Sequence, residues 1–343
     1  MKALVWKNKE IGLSERPYPE IIDSKDAIVK VVLSSICTSD LHIKHGFVPS
    51  ANDNIVLGHE FVGEVVSVGD DVKNIKVGDR VSANVETFCG ECFFCKRGFI
   101  NNCTKGGWHL GCKIDGCQSE FVRVPFADNG LNKIPENVSY KNALFVGDVL
   151  ASGYFGAELC EISNEDVLAV IGSGPVGLCA MASARIMGPK KIIAIDIDER
   201  RLNLAKEQGL ADYILNPEKC NIEEEIKNLT CGRGADCVIE AAGAKTTFEM
   251  AWKIARANAI VALVGLYENS QILPLPEMYG KNLIFKTGGV DACHSDLILD
   301  LISKGKINTD FLITHYYSLD DIEQAYAFFE TKPEFCLKIA ITS

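Results

Sequence analysis

Residues 167–177 read VLAVIGSGPVG, a short run of Val, Leu and Ile that ends directly in a glycine-rich turn. A short apolar run of this kind predicts a buried β-strand. The next stretch, 178–187, has helical apolar spacing and ends before Gly188, a residue type common at helix C-caps. Strand, G-x-G-x-x-G turn and helix in this order predict a phosphate-binding turn in a parallel sheet.

The ligand that this turn predicts is a dinucleotide. Glycines allow a tight turn and close backbone approach, and the helix N-terminus offers unpaired N–H groups to a pyrophosphate. Asp196 follows the next apolar run, nineteen residues after the last glycine, where an acid accepts from ribose hydroxyls. The alternatives are a merely glycine-rich turn and a solvated loop acid. The predicted contacts are Gly172, Gly174, Pro175, Val176, Gly177 and Asp196.

The pattern of apolar residues and turn signals changes near residue 165, which predicts two domains. Before that point, short β-rich runs are broken by Gly, Pro and Asp turns and indicate an all-β or barrel-like domain, at 27–33, 60–68, 80–85 and 118–124. After it, apolar runs alternate with helical stretches such as 199–208 and predict a doubly wound parallel sheet, at 167–171, 191–195, 237–241 and 260–264. The tail then carries helical spacing at 296–304 and 319–329 and an apolar strand at 337–341.

Composition limits the classes of partner. The net charge of −11 lacks the Lys and Arg surplus that nucleic acids or anionic membranes require. The N-terminus does not resemble a secretory signal, and no apolar run reaches transmembrane length, so we expect a cytoplasmic protein. In a reducing compartment the 14 cysteines predict metal ligands or small buried hydrophobes rather than disulfides.

Four of these cysteines occur within fifteen residues, as Cys89, Cys92, Cys95 and Cys103. Tetrahedral thiolate coordination suits a structural zinc, with no position left for a substrate. The alternative is a set of unconnected buried cysteines. We therefore predict a zinc that stabilises a loop and takes no part in chemistry.

A second set of possible ligands is scattered along the chain, as Cys37, His42, His59, Glu60 and Asp148. Cys, His and carboxylate are zinc ligand types, and a catalytic zinc needs three protein ligands and one open position. On the residues alone, a histidine beside a glutamate fits a solvated or mutually satisfied pair equally well.

Together these motifs resemble the zinc-containing medium-chain alcohol dehydrogenases in order and spacing over essentially the whole chain. The Asp148 carboxylate points to the bacterial secondary-alcohol and formaldehyde-dehydrogenase-like branch. The resemblance implies a GroES-like β-barrel catalytic domain, residues 1–151 and 291–343, and a Rossmann domain, residues 152–290. Relatives are commonly dimers or tetramers, so a homo-oligomer is expected.

The resemblance also implies roles at the metal. It places the catalytic zinc on Cys37, His59 and Asp148. Glu60 matches a glutamate that enters the zinc shell transiently during ligand exchange. Asp40 matches the carboxylate that orients the zinc-bound histidine.

Proton transfer and substrate contacts follow from the same resemblance. Ser39 matches the hydroxyl that accepts the alcohol proton, and His42 the next member of the relay toward solvent. Trp108 lies where secondary-alcohol enzymes place a substrate-pocket tryptophan, although a packing aromatic is an equal alternative. Ser152 is expected near the nicotinamide. Further cofactor contacts are implied for Arg201, Val264, Gly265, Leu266, Gly289, Val290 and Lys338, whose alternatives are surface charge or core packing.

The expected function is hydride transfer between a small primary or secondary alcohol and NAD, with two zinc ions per chain. A dehydrogenase of the same fold acting on a polyol, diol or amino alcohol is the nearest alternative. A cofactor-binding protein without turnover is a more distant one, which the complete Cys37, His59 and Asp148 set disfavours. The acids Asp196 and Asp198 predict a preference for NAD over NADP.

Overall fold

The computed structural model describes residues 1–290, 294–332 and 334–343. The chain divides into two compact units, Met1–Ala151 with Asp291–Ser343, and Ser152–Val290. Residue 291, a predicted domain boundary, lies outside the described residues. Within the described part of the chain, no helix is long and apolar enough to cross a membrane.

The strands of the described residues are numbered in chain order. They are β1 Lys2–Lys7, β2 Glu10–Glu15, β3 Ala27–Ser35, β4 Ile55–Val56, β5 Glu60–Val68, β6 Arg80–Ala83, β7 Glu86–Thr87, β8 Gly107–Trp108, β9 Phe121–Val124, β10 Leu131–Lys133, β11 Val167–Ile171, β12 Lys191–Ile195, β13 Tyr213–Leu215, β14 Ala235–Glu240, β15 Ala255–Leu263, β16 Ile284–Thr287, β17 Ile313–Ser318 and β18 Lys338–Thr342.

The α-helices are numbered in the same way. They are α1 Thr38–Lys44, α2 Ala127–Gly130, α3 Tyr140–Ala143, α4 Val149–Leu159, α5 Pro175–Met187, α6 Glu199–Glu207, α7 Ile222–Leu229, α8 Lys245–Ile254, α9 Leu275–Met278, α10 Ser295–Ser303 and α11 Ile322–Thr331. Short 3-10 turns occur at Cys95–Arg97, Ile100–Asn102, Tyr279–Lys281, Asp310–Leu312 and Leu319–Asp321.

The first unit is built on a mixed sheet in the order β10-β6-β5-β3-β18-β17, with β9 also pairing with β3. Strand β18, near the C-terminus, pairs antiparallel with β3, which brings the chain's tail into this sheet. A smaller sheet, β2-β1-β4, and the two-stranded pair β7-β8 complete the unit. The barrel-like class predicted for residues 1–150 is therefore confirmed, and the tail belongs to the same unit.

The second unit is a six-stranded parallel sheet in the order β13-β12-β11-β14-β15-β16. The order reverses between β11 and β14, and ligands of doubly wound sheets bind beyond the strand ends at this switch point. Strand β11 is buried throughout, because both faces of a parallel sheet are covered. The doubly wound fold is confirmed.

Three helices and strands begin at residues other than the predicted ones. Helix α5 begins at Pro175 rather than at residue 178, because proline lacks the N–H that the first helical position leaves unused. The apolar run at 118–124 becomes a strand only from Phe121. The stretch 319–329 starts as a 3-10 turn and becomes helical at Ile322.

Candidate functional site

The four-cysteine loop brings its sulfurs together as the spacing predicts. The Sγ atoms of Cys92 and Cys95 lie 3.5 Å apart, those of Cys89 and Cys103 3.6 Å, and those of Cys89 and Cys95 4.0 Å. Tetrahedral zinc with Zn–S bonds of about 2.3 Å requires S···S separations of about 3.8 Å. The four thiols therefore fit one zinc ion.

Backbone groups prepare these thiols for a metal. The N–H groups of Cys89 and Lys105 donate to Sγ of Cys103, at 3.3 and 3.4 Å. Backbone hydrogen bonds lower the pKa of Cys92 to about 5. Gly98 closes the 3-10 turn with φ of 79°, a left-handed conformation that glycine adopts without strain. Backbone N–H groups thus favour a thiolate at Cys92, whereas burial raises the pKa of its neighbour Cys95.

Three of the scattered candidate ligands, Cys37, His59 and Asp148, lie close together in the first unit. Cys37 precedes helix α1, His59 precedes strand β5 and Asp148 precedes helix α4, and their ligand atoms all lie within 4.8 Å of one another. Oδ2 of Asp148 is 3.3 Å from Nε2 of His59 and 3.8 Å from Sγ of Cys37. Tetrahedral zinc places N and O ligands about 3.3 Å apart and S and O ligands about 3.6 Å apart. The set fits one zinc ion and leaves a fourth position to be filled.

Asp40 supports two of the three ligands from behind. Its Oδ1 lies 3.3 Å from Nδ1 of His59, and its Oδ2 accepts the backbone N–H of Cys37 at 2.9 Å. The side chain is fully buried. Burial alone lowers the pKa of His59, but the charge of Asp40 and hydrogen bonds to Asp148 and Asp40 raise it well above its ordinary value. The cluster is electrostatically prepared for a positive charge.

Lys338 has a partner that the sequence analysis did not predict. Its Nζ, almost completely buried, donates to Oε2 of Glu60 at 2.5 Å and lies 3.4 Å from the carbonyl oxygen of Ile36. The predicted contact of Lys338 with the pyrophosphate of the cofactor stays a prediction; strand β18 places the side chain beside Glu60 on β5 and Ile36 after β3. Burial raises the pKa of Glu60 to about 7, against the lowering effect of Lys338.

The predicted relay residues lie on helix α1, directly after Cys37. Oγ of Ser39 is 3.0 Å from Sγ of Cys37, so this hydroxyl lies at the ligand cluster. His42 is partly exposed one turn further along, with its ring 6.3 Å from that of Phe47. The indole of Trp108 lies edge-on to the His59 ring, with the ring centroids 5.5 Å apart. The structure thus places Ser39 beside Cys37 and Trp108 beside His59, two of the three candidate ligands.

The glycine-rich turn has the geometry that its motif requires. Gly172 has φ of 92°, and a Cβ on Gly177 would lie 1.8 Å from the Gly172 carbonyl oxygen, so neither position accepts a side chain. Gly174 is the N-cap of helix α5, and Pro175 follows as its first residue with Val176 behind it. The turn leaves the helix N-terminus open to a phosphate.

Asp196 is tied into this turn. Its Oδ2 accepts the N–H of Ser173 at 2.6 Å, and its Oδ1 accepts the N–H of Asp198 at 2.8 Å. A guanidinium nitrogen of Arg201 lies 3.9 Å from Oδ2 of Asp196 and equally far from the Cβ position of Gly174. The Arg201 side chain therefore lies beside the glycine-rich turn at 172–177. The predicted contact between Asp196 and a ribose of the cofactor stays a prediction.

The remaining cofactor predictions fall on connections within the second unit. The N–H groups of Val264 and Gly265 donate to the Glu240 carbonyl oxygen, and Leu266 is 66% exposed. Gly289 and Val290 follow β16, and Ser152, partly buried, lies on α4. Their contacts with a cofactor stay predictions.

Sequence reasoning missed Glu240, a fully buried acid at the end of β14. Its Oε1 accepts the N–H groups of Ala242 and Gly243 at 2.9 Å each, and its Oε2 accepts the Tyr267 hydroxyl at 2.5 Å. The carboxylate thus holds the turns that follow two neighbouring strands. The signal available in the sequence was an acid that ends an apolar run, VIEAAG.

Family models match both units. Residues 23–136 match the alcohol dehydrogenase GroES-like domain, and residues 175–290 match the zinc-binding dehydrogenase domain. Among curated proteins, the chain is 36% identical to zinc-type alcohol dehydrogenase B of Aspergillus flavus, over 96% of this chain and 78% of that one. It is 33% identical to the NADP-dependent isopropanol dehydrogenase of Thermoanaerobacter brockii, over 94% of each chain.

Among solved structures, the chain resembles alcohol dehydrogenase TADH from Thermus sp. ATN1, with a TM-score of 0.92 and 34% identity over 100% of this chain and 99% of that one. Fold, ligand geometry and these similarities agree along the whole length. The chain therefore belongs to the zinc-containing medium-chain alcohol dehydrogenase family of oxidoreductases.

Proposed function

We propose that this chain is a zinc-dependent alcohol dehydrogenase that uses NAD and a catalytic zinc on Cys37, His59 and Asp148. The observation that carries the proposal is the convergence of these three ligand types within 4.8 Å, with Asp40 behind His59. Zinc supplies a Lewis acid that eases deprotonation of an alcohol, and NAD accepts the hydride. The protein's own contribution is to orient the ligands and to move the proton.

The proton route that we propose begins at Ser39. Its hydroxyl lies beside Cys37, so it can hydrogen-bond a substrate oxygen at the fourth metal position. His42, one turn along α1, is partly exposed and passes the proton toward water. Glu60 stays paired with Lys338 behind the ligands, which supports a role in neutralising charge near the metal.

We propose a second zinc, structural, on Cys89, Cys92, Cys95 and Cys103. The sulfur separations and backbone N–H donors support it. A site with four protein ligands has no open position, so this ion stabilises the loop and binds no substrate. These thiols must stay reduced, and the thirteen described cysteines are all free, which supports a reducing compartment such as the cytoplasm.

We propose that NAD is preferred over NADP. A ribose phosphate would meet Asp196 and Asp198, and one like-charge contact near 4 Å costs about 4 kcal/mol at a surface-like dielectric. Arg200 and Arg201 are the nearby cations that could offset part of this cost. The Arg200 guanidinium donates to both oxygens of Asp198, at 3.0 and 2.7 Å, and that of Arg201 lies 3.9 Å from Asp196. Relatives of this chain include NADP-dependent isopropanol dehydrogenases, so cofactor use differs within the family, and the proposal is that the acids of this turn select NAD here.

We propose that the chain forms a homo-oligomer and that two copies contact each other through the exposed sheet edge of the second unit. Strand β16 ends the parallel sheet and pairs only with β15 among the described strands. Large apolar side chains are exposed along and before it, at Ile272, Leu273, Leu275, Tyr279 and Ile284. An unpaired edge beside apolar surface favours association with a second copy.

The decisive experiment assays purified protein with primary, secondary and polyhydric alcohols, each with NAD and with NADP, together with metal analysis. We expect alcohol-dependent reduction of NAD and two zinc per chain. Absence of turnover with every alcohol in a zinc-loaded, folded protein contradicts the proposal.

A further inference from the structure

Glu240, the fully buried last residue of strand β14, holds two turns of the second unit. Its Oε1 accepts two backbone N–H groups of residues 241–243, the β14 turn, at 2.9 Å each. Its carbonyl oxygen accepts the N–H groups of Val264 and Gly265, at 2.9 and 3.0 Å, and its Oε2 accepts the Tyr267 hydroxyl at 2.5 Å. These last three donors belong to residues 264–267, the β15 turn, so one residue joins both turns.

The two turns also contact each other backbone to backbone. Gly243 has φ of 73°, and a Cβ on it would lie 2.3 Å from the carbonyl oxygen of Leu266. A Cβ on Gly265 would lie 2.4 Å from the backbone nitrogen of Gly243 and 2.6 Å from Oε2 of Glu240. No side chain therefore fits between the turns, and a displacement of one displaces the other.

The β14 turn packs in addition against the glycine-rich turn at 172–177. A Cβ on Gly172 would lie 3.1 Å from the backbone nitrogen of Ala242, and the N–H of Ala241 donates to the carbonyl oxygen of Ile171 at 2.8 Å. Three turns thus lie side by side where the parallel strands β11, β14 and β15 end. Doubly wound sheets bind their ligands at this edge.

The two halves of the sheet serve different halves of a dinucleotide. The half with β11, α5 and β12 ends in Asp196, the predicted ribose ligand of the adenosine side. The half with β14, β15 and β16 is left for the nicotinamide side. We infer that Glu240 is a positioning residue for the nicotinamide half, which it serves by fixing the β14 and β15 turns. The inference rests on the proposed function, because it takes a nicotinamide dinucleotide as the ligand of the second unit.

Burial decides how Glu240 acts. A fully buried carboxylate cannot reach a ligand at the sheet edge, so its effect passes through the backbone groups that it accepts. A variant without these acceptors leaves buried N–H groups unpaired, which is costly unless the turns move toward water. The affinity for the nicotinamide half should therefore respond to the loss of the acceptors more than to the loss of the charge.

The test measures the binding of NADH and of AMP to the full-length, zinc-loaded protein, by NADH fluorescence and by calorimetry. AMP carries only the adenosine half of the cofactor. Glu240→Met keeps the length of the side chain but removes both acceptors, and it should raise the Kd of NADH about tenfold or more. The Kd of AMP should change less than about twofold, as for sites that do not interact.

Two milder variants follow the same reasoning. Glu240→Gln removes the charge but keeps an oxygen for the N–H groups of the β14 turn, so it should bind NADH more tightly than Glu240→Met. Tyr267→Phe removes only the hydroxyl donor, so it should raise the Kd of NADH by less than Glu240→Met does, again without an effect on AMP. Both variants carry the test if Glu240→Met does not fold.

Asp236 provides a matched control on the same strand. It is also a buried acid, and it accepts the N–H of Val167 at 2.9 Å and Nε of Arg256 at 2.5 Å. Four residues of strand place it about 13 Å from Glu240, toward the opposite edge of the sheet. Asp236→Leu should lower the melting temperature and leave the Kd of NADH unchanged.

The outcomes that overturn the inference are distinct from those that overturn the proposed function. An unchanged Kd of NADH in folded Glu240→Met, an equal loss for NADH and AMP, or an equal loss in Asp236→Leu shows that Glu240 only stabilises the sheet. Alcohol turnover by the wild type together with any of these results leaves the proposed function intact. The expected separation of NADH from AMP without turnover of any alcohol supports the role of Glu240 and contradicts only the proposed function.

Discussion

The ammonium of Lys338 donates to Oε2 of Glu60 at 2.5 Å, and both side chains are almost completely withdrawn from solvent. The two residues are 278 positions apart in the chain, so this pair joins β18 to β5, the strand that directly follows His59, a proposed zinc ligand. Removing one partner of a buried pair leaves an uncompensated charge, which costs about 3–5 kcal/mol.

Lys338→Met should therefore lower the free energy of unfolding by about 3–5 kcal/mol in urea denaturation. Lys338→Met combined with Glu60→Gln removes both charges and should recover part of the loss. Lys2→Met removes an exposed cation that pairs with Asp320, and it should change stability little because exposed pairs contribute little. A loss in Lys338→Met no larger than that in Lys2→Met contradicts the interpretation.

Asp148→Asn should abolish alcohol-dependent NAD reduction and remove about one zinc per chain while retaining the cysteine-loop zinc. The amide preserves the shape of the side chain but removes the charge beside His59 and Cys37. Metal analysis and kcat measure the effect, with exposed Asp70→Asn as the control. Full turnover in a folded Asp148→Asn protein rules out this ligand assignment.

Cys92→Ser and Ser39→Ala should separate the two metal sites. The first should lower the melting temperature and zinc content, because that ion closes a loop. The second should lower kcat about a hundredfold or more, the usual contribution of a proton-transfer group, with little change in melting. If Cys92→Ser keeps its melting temperature and zinc but loses catalysis, the roles of the sites are reversed.

Cofactor preference should follow the turn after β12. Wild-type kcat/KM should favour NAD over NADP by at least about tenfold. Asp196→Gly combined with Asp198→Arg should narrow or reverse the ratio. Because Asp196 also accepts the N–H of Ser173, this double variant should melt at a lower temperature than Asp198→Arg alone. Equal or better use of NADP by the wild type shows that the choice is made elsewhere.

The sequence by itself determined the local motifs. The glycine turn at 172–177 and the thiols at 89–103 each lie within one short stretch, and the covalent chain brings their atoms together. The strands and helices of the second unit followed from periodicity, because buried parallel strands are continuously apolar. The ligand set of Cys37, His59 and Asp148 came instead from resemblance, since their spacing alone does not specify a site.

Tertiary structure alone decided the partners of residues far apart in the chain. The Lys338 ammonium meets Glu60 because β18 pairs with β3, and β3 pairs with β5, which no local pattern indicates. Glu86 faces the same side as Trp108 because β7 and β8 happen to pair in that register. Charge and hydrogen bonding act over a few ångströms in space, so positions that look alike in the sequence acquire their chemistry only from the neighbours that folding gives them.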